Sequence, residues 1–472
     1  MSVRRGHDMN NGCHGGILGQ PRGVGVLVLV EGLFNFAFYG LRIMLVLYMT
    51  RQVLLPGHAE HVAGLAPLRG VLEHAYGPLS VVAFASVVFG LFSSIAYLTP
   101  LAGALIADRW LGRTRAILVG GLLLVIGSAL LTSEASFVIA LLCLLPGVGL
   151  CGGNLTAQLG ELYGRDDPRR GDGFQLYYLA VDAGVIVAPL ICGTLGETWG
   201  FSYGFAGAAL GMVASLSAYL IGRRWMPTAP LADPEGEMPN YPPIGRRGWA
   251  SVTVLLLLIP VIGVAAVANN QIYGAYELWG AAHYDLVFFG RQMPVTWLIS
   301  IDAFISFGCG FVVLALWRWL EMRGRLPSEI DRCAIGATLS AVAAFVLALA
   351  SWSAGTARIG LGWGIAFHAI NNLGVAMLFP LTLALFSRAA PAGLNGTMVN
   401  SSKLNFFISF QIVGWLGGFA DRIDGAHFWL IHAGIVSAAA VVLFAFGRLF
   451  RNVLAPVSPE ERMAGEGAAL PL

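Results

Sequence analysis

Long apolar segments recur along the whole chain, and each is long enough to cross a lipid bilayer. A hydropathy window of about 19 residues finds twelve such segments. In the first half they are Val24–Met49, Val81–Ala107, Ala116–Thr132, Phe137–Tyr163, Phe174–Leu195 and Tyr203–Gly222. In the second half they are Trp249–Ala268 with a possible continuation to Ala282, Val295–Trp319, Ala334–Ser351, Ile359–Phe386, Thr397–Phe419 and Phe428–Phe446. Because a spanning helix needs about 20 apolar residues, the pattern predicts an all-α membrane protein with twelve transmembrane helices.

One polar segment separates the first six spans from the last six. It includes Asp233-Pro-Glu-Gly-Glu-Met-Pro and Tyr241-Pro-Pro, and proline and charge at this density belong in water. Six spans, a polar linker and six more spans is the layout of the major facilitator fold, with two six-helix bundles around a central cavity. We therefore expect an N-terminal bundle over residues 1–222, a cytoplasmic linker over 223–248, a C-terminal bundle over 249–449 and a cytoplasmic tail over 450–472.

The composition excludes a water-soluble enzyme. Hydrophobic residues make up 57% of the chain and charged residues only 11%, against about 25% charged in ordinary soluble domains. The six cysteines are scattered without a Cys-x-x-Cys pair, so neither a zinc site nor a disulfide framework is expected. We expect no metal, no cofactor and no nucleic-acid partner. The expected partners are the lipid bilayer, a small-molecule or peptide substrate and protons, with the protein acting as a monomer.

The arginines indicate how the chain is oriented. Lys403 is the only lysine beside 27 arginines, a bias typical of a GC-rich bacterial genome. With twelve spans, 21 arginines lie on the face that carries both termini and five lie on the opposite face. Since positive charge concentrates on the cytoplasmic side, we expect a multi-pass protein of the bacterial cell inner membrane with both termini in the cytoplasm.

Several ionisable side chains lie well inside the predicted spans, namely Glu31, Arg42, Asp182, Asp302 and Lys403. Each costs about 2.5–3.5 kcal/mol at the bilayer centre on insertion scales, so such groups normally line a wet or paired site. Helical spacing places polar residues of the first span on one face, and the same holds for the fifth span. Mixed charges suit a zwitterionic substrate, or carboxylates that alternate between paired and protonated states.

These considerations give a set of candidate substrate-binding residues: Glu31, Asn35, Tyr39, Arg42, Tyr97, Asn154, Tyr178, Asp182, Asn270, Asp302 and Lys403. Arg42 is the candidate carboxylate anchor, because a guanidinium pairs with a carboxylate through two hydrogen bonds. Asp182 or Asp302 would face the substrate amine. Glu31, Asp182 and Asp302 are the candidates for carrying protons. The tenth span adds His368, Asn371 and Asn372, where a hydrogen-bonded core histidine is at least as good an interpretation.

The loop after the second span carries the motif Asp108-Arg109-Trp-Leu-Gly112-Arg113. Asp-Arg-x-x-Gly-Arg is the signature cytoplasmic loop of major facilitators. An acidic group at a helix end beside arginines can form a breakable charge latch between helices. We therefore expect Asp108, Arg109, Gly112 and Arg113 to act in cytoplasmic gating.

Most of residues 24–420 resembles the proton-dependent oligopeptide transporter family of major facilitators. The first span of that family reads Glu-x-x-Glu-Arg-Phe-x-Tyr-Tyr-Gly and then Arg two residues on. This chain has Glu31-Gly-Leu-Phe34-Asn35-Phe36-Ala-Phe38-Tyr39-Gly40 followed by Arg42. Further similar segments are residues 97–113, 167–189, 203–205, 293–297 and 380–391.

The chain departs from the family pattern at its charged positions. Phe34 and Asn35 replace a Glu and an Arg, Gly152 replaces a Lys, and Val375 replaces a Glu. In the family these groups are associated with proton coupling and with holding the peptide termini. In return, Asp182 and Asp302 replace family asparagines, and Lys403 stands beside the family's tryptophan position, here Ser402.

The resemblance implies a secondary transporter that moves small peptides or peptide-like, amino-acid-derived metabolites by alternating access, coupled to protons. The alternative is an exporter, exchanger or uniporter of a non-peptide metabolite with altered or absent proton coupling. A membrane enzyme built on Asp166-Asp167-Pro-Arg-Arg is a third possibility, and a receptor that binds without transport is a fourth. We expect the protein not to be an enzyme.

Overall fold

A computed structural model describes residues 19–163, 167–226, 244–355, 357–391 and 394–454. Most of the predicted linker, the predicted tail from residue 455 and Asp166 of the enzyme hypothesis lie outside the described residues. The first nine helices are α1 Arg22–Arg42, α2 Leu45–Tyr48, α3 Leu65–Tyr76, α4 Val81–Ile106, α5 Arg113–Leu130, α6 Phe137–Glu161, α7 Arg170–Ala188, α8 Thr194–Trp199 and α9 Phe201–Gly222. The remaining helices are α10 Arg246–Ala265, α11 Val267–Asn270, α12 Ala275–His283, α13 Trp297–Met322, α14 Glu329–Ala354, α15 Leu361–Ala389, α16 Asn395–Ser402, α17 Leu404–Gly417, α18 Gly425–Leu449 and α19 Arg451–Leu454.

Short irregular turns extend several of these helices. Single π-helical turns cover Met49–Val53, Ala107–Leu111 and Pro189–Gly193, and 3-10 turns cover Ala59–His61, Glu134–Ser136, Arg223–Trp225 and Gln271–Tyr273. The only strands among the described residues are β1 Val287–Phe288 and β2 Arg291–Gln292, which form an antiparallel hairpin. The described chain is thus almost wholly helical, as the hydropathy pattern predicts.

Eleven helical segments within the described residues are long and apolar enough to cross a membrane. They coincide with eleven of the twelve predicted spans to within a few residues at most ends, and the first and fifth continue through π-helical turns to Val53 and Trp199. The eleventh predicted span, Thr397–Phe419, is the one without a match, because it is interrupted: α16 ends at Ser402 and α17 begins at Leu404. The fold class, an all-α membrane protein, is confirmed.

Two compact units are formed. The first comprises the described residues of Met1–Met44 and Thr99–Pro234, and the second those of Leu45–Leu98 and Glu235–Leu472. This grouping differs from the predicted bundles, because residues 45–98 pack with the later part of the chain. The boundaries of the two transmembrane bundles remain a prediction.

In the first unit α1 packs against α7 and α9, and α5 packs against α6. These contacts place the polar face of α1 beside α7. In the second unit α14 packs against α15 and α18, and α13 packs against α15. A large apolar core lies between α10, α14, α15 and α18. This core includes residues of α15, the helix that carries His368.

The beginning of α4 packs closely on α17 within the second unit. A side chain at Gly90 would lie 2.6 Å from the Cα of Gly414, so only glycine allows the two backbones to approach this closely. The Tyr97 ring then stacks on Phe406 and Phe410, with centroid distances of 4.7 and 5.6 Å. Small residues with aromatic stacking are a usual way to join helices in a membrane, where lipid is as apolar as the side chains.

Candidate functional site

The polar face of α1 forms a small buried cluster in the first unit. The Asn35 Nδ2 atom donates to Glu31 Oε1 at 3.0 Å and to the Glu31 carbonyl at 2.9 Å. The hydroxyl of Tyr177 lies beside the same carboxylate and 3.3 Å from Thr156 Oγ1. Both Glu31 and Asn35 are buried. The cluster therefore surrounds one carboxyl group with neutral hydrogen-bonding groups.

Two turns beyond Asn35, Arg42 is 2% exposed. Its guanidinium carbon lies 5.7 Å from the centroid of the Tyr39 ring, a cation–π distance. The predicted proximity of Tyr39 and Arg42 on one helical face is present. The distance along the helix separates this pair from Glu31, so α1 carries two distinct polar groups rather than one continuous site.

The polar face of α7 is open. Tyr178 is 58% exposed, and Asp182 one turn later is also exposed. Within the described residues, the Asp182 carboxylate makes no ion pair. An uncompensated carboxylate on an apolar spanning helix is costly, so Asp182 has the character of a ligand-binding residue.

Asn154 and Asn270, two further candidates, are occupied with structural hydrogen bonds. The amide of Asn154 donates to the Leu150 carbonyl at 2.9 Å and to the Gly103 carbonyl at 3.4 Å. Asn270 donates to Ser409 Oγ at 2.8 Å. Both asparagines are buried, so these amides tie helices together, and their role as substrate ligands remains a prediction.

Asp302 lies at the end of a buried hydrogen-bond chain in the second unit. Its Oδ1 atom contacts His368 Nδ1 at 2.8 Å and accepts from Asn372 Nδ2 at 2.6 Å. On the other side of the imidazole, Nε2 lies 2.9 Å from the Tyr276 hydroxyl, which lies 3.1 Å from the Tyr284 hydroxyl. Asp302 is 6% exposed, and the other members are as deeply buried. The chain thus links one carboxylate, one imidazole and two phenols.

Lys403 occupies the interruption between α16 and α17. The Ser402 hydroxyl donates to the Val399 carbonyl at 2.7 Å, and the Asn405 amide donates to the Ser402 carbonyl at 2.5 Å. Such side-chain bonds to the backbone compete with regular helix bonds. The Lys403 side chain is exposed, and it makes no ion pair within the described part of the chain. Discontinuous helices of this kind form substrate sites in many secondary transporters.

The cytoplasmic motif forms an ion-pair cluster. Arg113 lies 3.4 Å from Asp108 and also pairs with Glu161 at the end of α6. Gly112 supplies the turn between them with a φ of +74°, a region that favours glycine. Arg109 is exposed. Asp108, Arg113 and Glu161 therefore form a charge cluster, and the gating role of the motif stays a prediction.

The enzyme hypothesis depends on the segment Asp166-Asp167-Pro-Arg-Arg, which the structure describes from Asp167 onwards. The Arg169 side chain donates to Asp167 at 3.1 and 2.8 Å, and the Arg169 backbone N–H donates at 2.9 Å. These hydrogen bonds lower the pKa of Asp167, so this carboxylate is held as a fixed, charged partner of Arg169. Within the described residues, no group of three or more His, Cys, Asp or Glu is placed to hold a metal ion.

The structure brings some predicted residues together and adds others. Glu31 meets Asn35, Tyr39 meets Arg42, and Asp302 joins His368 and Asn372. Five members were not predicted: Thr156, Glu161, Tyr177, Tyr276 and Tyr284. Helical spacing reveals which residues share one helix face, but it contains no information on which tyrosine from another helix reaches that face.

Comparison with known proteins places these features in context. A model of the POT family (PTR2) matches residues 114–237. The chain is 23% identical to the uncharacterized transporter YclF of Bacillus subtilis (strain 168), covering 91% of this chain and 93% of the relative. It is 24% identical to the di-/tripeptide transporter of Lactococcus lactis subsp. lactis (strain IL1403), covering 81% and 86% of the two chains.

Solved structures of POT proteins share the fold. A peptide transporter POT in complex with sulfate aligns with a TM-score of 0.80 at 19% identity, covering 93% of this chain and 97% of the other. A POT family transporter in complex with 5-aminolevulinic acid aligns with a TM-score of 0.76 at 21% identity, covering 92% and 97%. The chain thus has the fold of these POT structures, and its long apolar helices are those of a multi-pass membrane protein. The family model over residues 114–237 and the relatives that match most of the chain show that this protein is similar to transporters of the POT family.

Proposed function

We propose that this protein transports small peptides or peptide-like, amino-acid-derived compounds by alternating access, coupled to protons. The observation that carries the proposal is the pair of exposed, oppositely charged residues on otherwise apolar segments: Asp182 in the first unit and Lys403 in the second. Such groups are retained in spanning segments where they face a wet site. A carboxylate can bind an ammonium group and an ammonium group can bind a carboxylate, and peptides and amino-acid derivatives carry both groups.

The roles of the individual residues follow from their chemistry. Asp182 would bind the substrate amine, with the exposed Tyr178 hydroxyl one turn away. Lys403 would bind the substrate carboxylate as a point charge at the start of α17. Arg42 would support the carboxylate end from its place against Tyr39. These assignments agree with the chemistry named for two similar proteins, a di-/tripeptide transporter and a transporter bound to 5-aminolevulinic acid.

Proteoliposomes test the proposal directly. Purified protein would be given radiolabelled alanyl-alanine or 5-aminolevulinic acid, with and without an imposed pH gradient. We expect accumulation above the equilibrium level with the gradient, and its loss when a protonophore is added. If neither compound crosses in any condition, including counterflow with the same compound inside, the proposed function is wrong.

A second candidate is an exchanger, exporter or uniporter of a non-peptide metabolite. It is favoured by Phe34 and Asn35, which replace the family's Glu and Arg and surround Glu31 with neutral groups. Phe34 stacks on Phe38 with centroids 6.1 Å apart, so this part of α1 is apolar. Counterflow that does not respond to the pH gradient would favour this candidate.

We also propose that the protein is a monomer in the bacterial cell inner membrane, with both termini in the cytoplasm. The support for the orientation is the distribution of the arginines, of which 21 lie on the predicted cytoplasmic face and five on the opposite face. Reporter fusions at the two ends should both give cytoplasmic signals. A periplasmic signal from either end would contradict the orientation.

A further inference from the structure

The buried chain Asp302–His368–Tyr276–Tyr284 has a chemistry that a simple packing role does not require. Replacing a buried ion pair by apolar side chains is often neutral or stabilising, so such a pair is weak evidence for stability. Here both ring nitrogens of one imidazole are engaged, one towards a carboxylate and one towards a phenol. Histidine is also the side chain that most readily exchanges a proton near neutral pH.

We propose that these four side chains form a proton relay in which the His368–Asp302 pair holds the proton that drives transport. The inference rests on the proposed proton-coupled function and assigns its coupling site. It also changes the predicted role of Asp302: its Oδ1 atom is occupied by His368 and Asn372, so Asp302 serves as the counter-ion of His368 rather than as a ligand for the substrate amine.

The hydrogen-bond geometry gives the relay two consistent states. With Asp302 ionised, it can only accept hydrogen bonds, so His368 Nδ1 carries a hydrogen. In the neutral imidazole Nε2 then accepts from Tyr276, which accepts from Tyr284. When a proton reaches the Tyr284 oxygen, Tyr284 passes its own hydrogen to Tyr276, and Tyr276 passes its hydrogen to Nε2. The imidazolium that results donates back to Tyr276, and every hydroxyl is restored with its direction reversed.

Tyr284 is the member of the relay farthest from Asp302 along the hydrogen-bond chain, and it is buried like the others. Tyr284 follows α12, and its backbone carbonyl accepts a hydrogen bond from Arg358 at 2.9 Å just before α15 begins. His368 lies seven residues into α15, about 10 Å along the helix axis at 1.5 Å per residue. The two tyrosines therefore bridge from the helix ends to a buried site.

Other titratable groups lie on the helices that surround His368. They are Glu277 beside Tyr276 on α12, His283 stacked on Trp279, Cys309 on α13 and His432 stacked on Trp429 of α18. His432 Nδ1 bonds the Phe428 carbonyl at 2.8 Å, outside the relay. It is therefore a matched control: a buried histidine of the same unit whose described contacts do not include the chain.

Protonation of His368 can be measured without knowing the substrate. Solid-state NMR of the full chain in lipid, labelled with 15N-histidine, would identify the His368 signal by its loss in His368→Gln. We expect this signal to change from the neutral form with Nδ1 protonated to the doubly protonated form as the sample pH is lowered across the range in which the protein stays folded. A single protonation state across that range would overturn the relay, whether or not the protein transports alanyl-alanine.

Transport by variants tests the coupling role. We expect His368→Gln to lose gradient-driven uptake of alanyl-alanine by at least about tenfold while counterflow stays within about twofold, and His432→Gln to keep both. Gradient-driven uptake unchanged in His368→Gln would overturn the proposal. Loss of both activities in a folded His368→Gln would also overturn it, because the residue would then serve the transport cycle rather than the proton.

Tyr276→Phe covers the case in which His368→Gln does not fold. It removes one hydroxyl and keeps the ring that packs against Phe367 and Trp429. We expect the same selective loss of gradient-driven uptake. Normal gradient-driven uptake in Tyr276→Phe would show that no proton passes through this hydroxyl and would overturn the relay. If wild-type protein transports nothing while His368 still changes its protonation state, the proposed function fails and the relay stands.

Discussion

Single residues decide whether a charge in this protein is available to a ligand. Asp182 and Asp302 both replace family asparagines in the sequence pattern. The structure separates them: Asp182 is exposed, whereas Asp302 is held by His368 and Asn372. Sequence alone could locate both carboxylates inside spans. It could not separate them, because the partners of Asp302 come from another helix.

A carboxylate outside the spans gives a prediction at the residue scale. Glu73 near the end of α3 accepts from Arg69 at 2.9 Å and from the Leu79 backbone N–H at 3.4 Å. The hydrogen bond from Arg69, followed by the one from Leu79, lowers the pKa of Glu73 below its ordinary value of 4.5. A lowered pKa stabilises the folded state above the ordinary value, and this contribution is lost as the pH falls through the lowered value.

We therefore expect Glu73→Gln to lower the thermal unfolding temperature at pH 7 and to have a smaller effect in acid, once the pH has fallen through the lowered pKa and wild-type Glu73 is itself protonated. Hydrogen exchange at the Leu79 amide should be faster in the variant at pH 7. Glu60→Gln is the control, because Glu60 is exposed on a nearby short turn. An equal effect of Glu73→Gln at both pH values would contradict the assignment.

At the scale of elements, the length of an apolar segment predicted the spanning helices reliably. The positions at which polar residues interrupt a helix were not predicted. Eleven predicted spans agree with helices in the structure, and Pro100, Pro146, Pro260 and Pro380 all lie inside helices without ending them. The break at Lys403 was not predicted, because the window averaged the polar Asn395–Ser402 turn with the apolar α17. The same averaging made Trp249–Ala282 resemble one long helix, although the structure divides it into α10, α11 and α12.

Close backbone contact between α14 and α15 gives a prediction at the element scale. A Cβ atom at Gly374 would lie 2.4 Å from the Gly336 carbonyl oxygen and 2.7 Å from Ser340 Oγ. Since the first contact is with backbone, the helices would have to separate. We expect Gly374→Ala to destabilise the protein by about 1–3 kcal/mol, the usual cost of overpacking.

Gly434 in α18 is the matched control for this prediction. A Cβ atom there meets nothing within 4 Å, so Gly434→Ala should be neutral or stabilise by up to about 1 kcal/mol through helix propensity. Thermal unfolding of the two variants in the same detergent provides the comparison. Equal unfolding temperatures for Gly374→Ala and wild type would contradict the packing described here.

For the whole molecule, the sequence predicted the fold class and the family, because both depend on patterns that recur over long stretches. The site was predicted only in part. The residues on one face of α1 and of α7 follow from helical periodicity, but the relay partners Tyr276 and Tyr284 come from a segment that hydropathy describes poorly. The departures from the family pattern, Phe34 and Asn35 among them, leave the substrate to be inferred from the charges that remain exposed.

The central proposal is that the exposed charges of Asp182 and Lys403 each take part in substrate binding. The most direct measurement is counterflow of radiolabelled alanyl-alanine or 5-aminolevulinic acid in proteoliposomes containing Asp182→Asn or Lys403→Gln. The controls are Asp172→Asn, about 15 Å away on the same helix, and Arg291→Gln in the hairpin. The account predicts a rise in KM of at least about tenfold for the first two variants and wild-type values for the controls. Wild-type KM values for both Asp182→Asn and Lys403→Gln would contradict it.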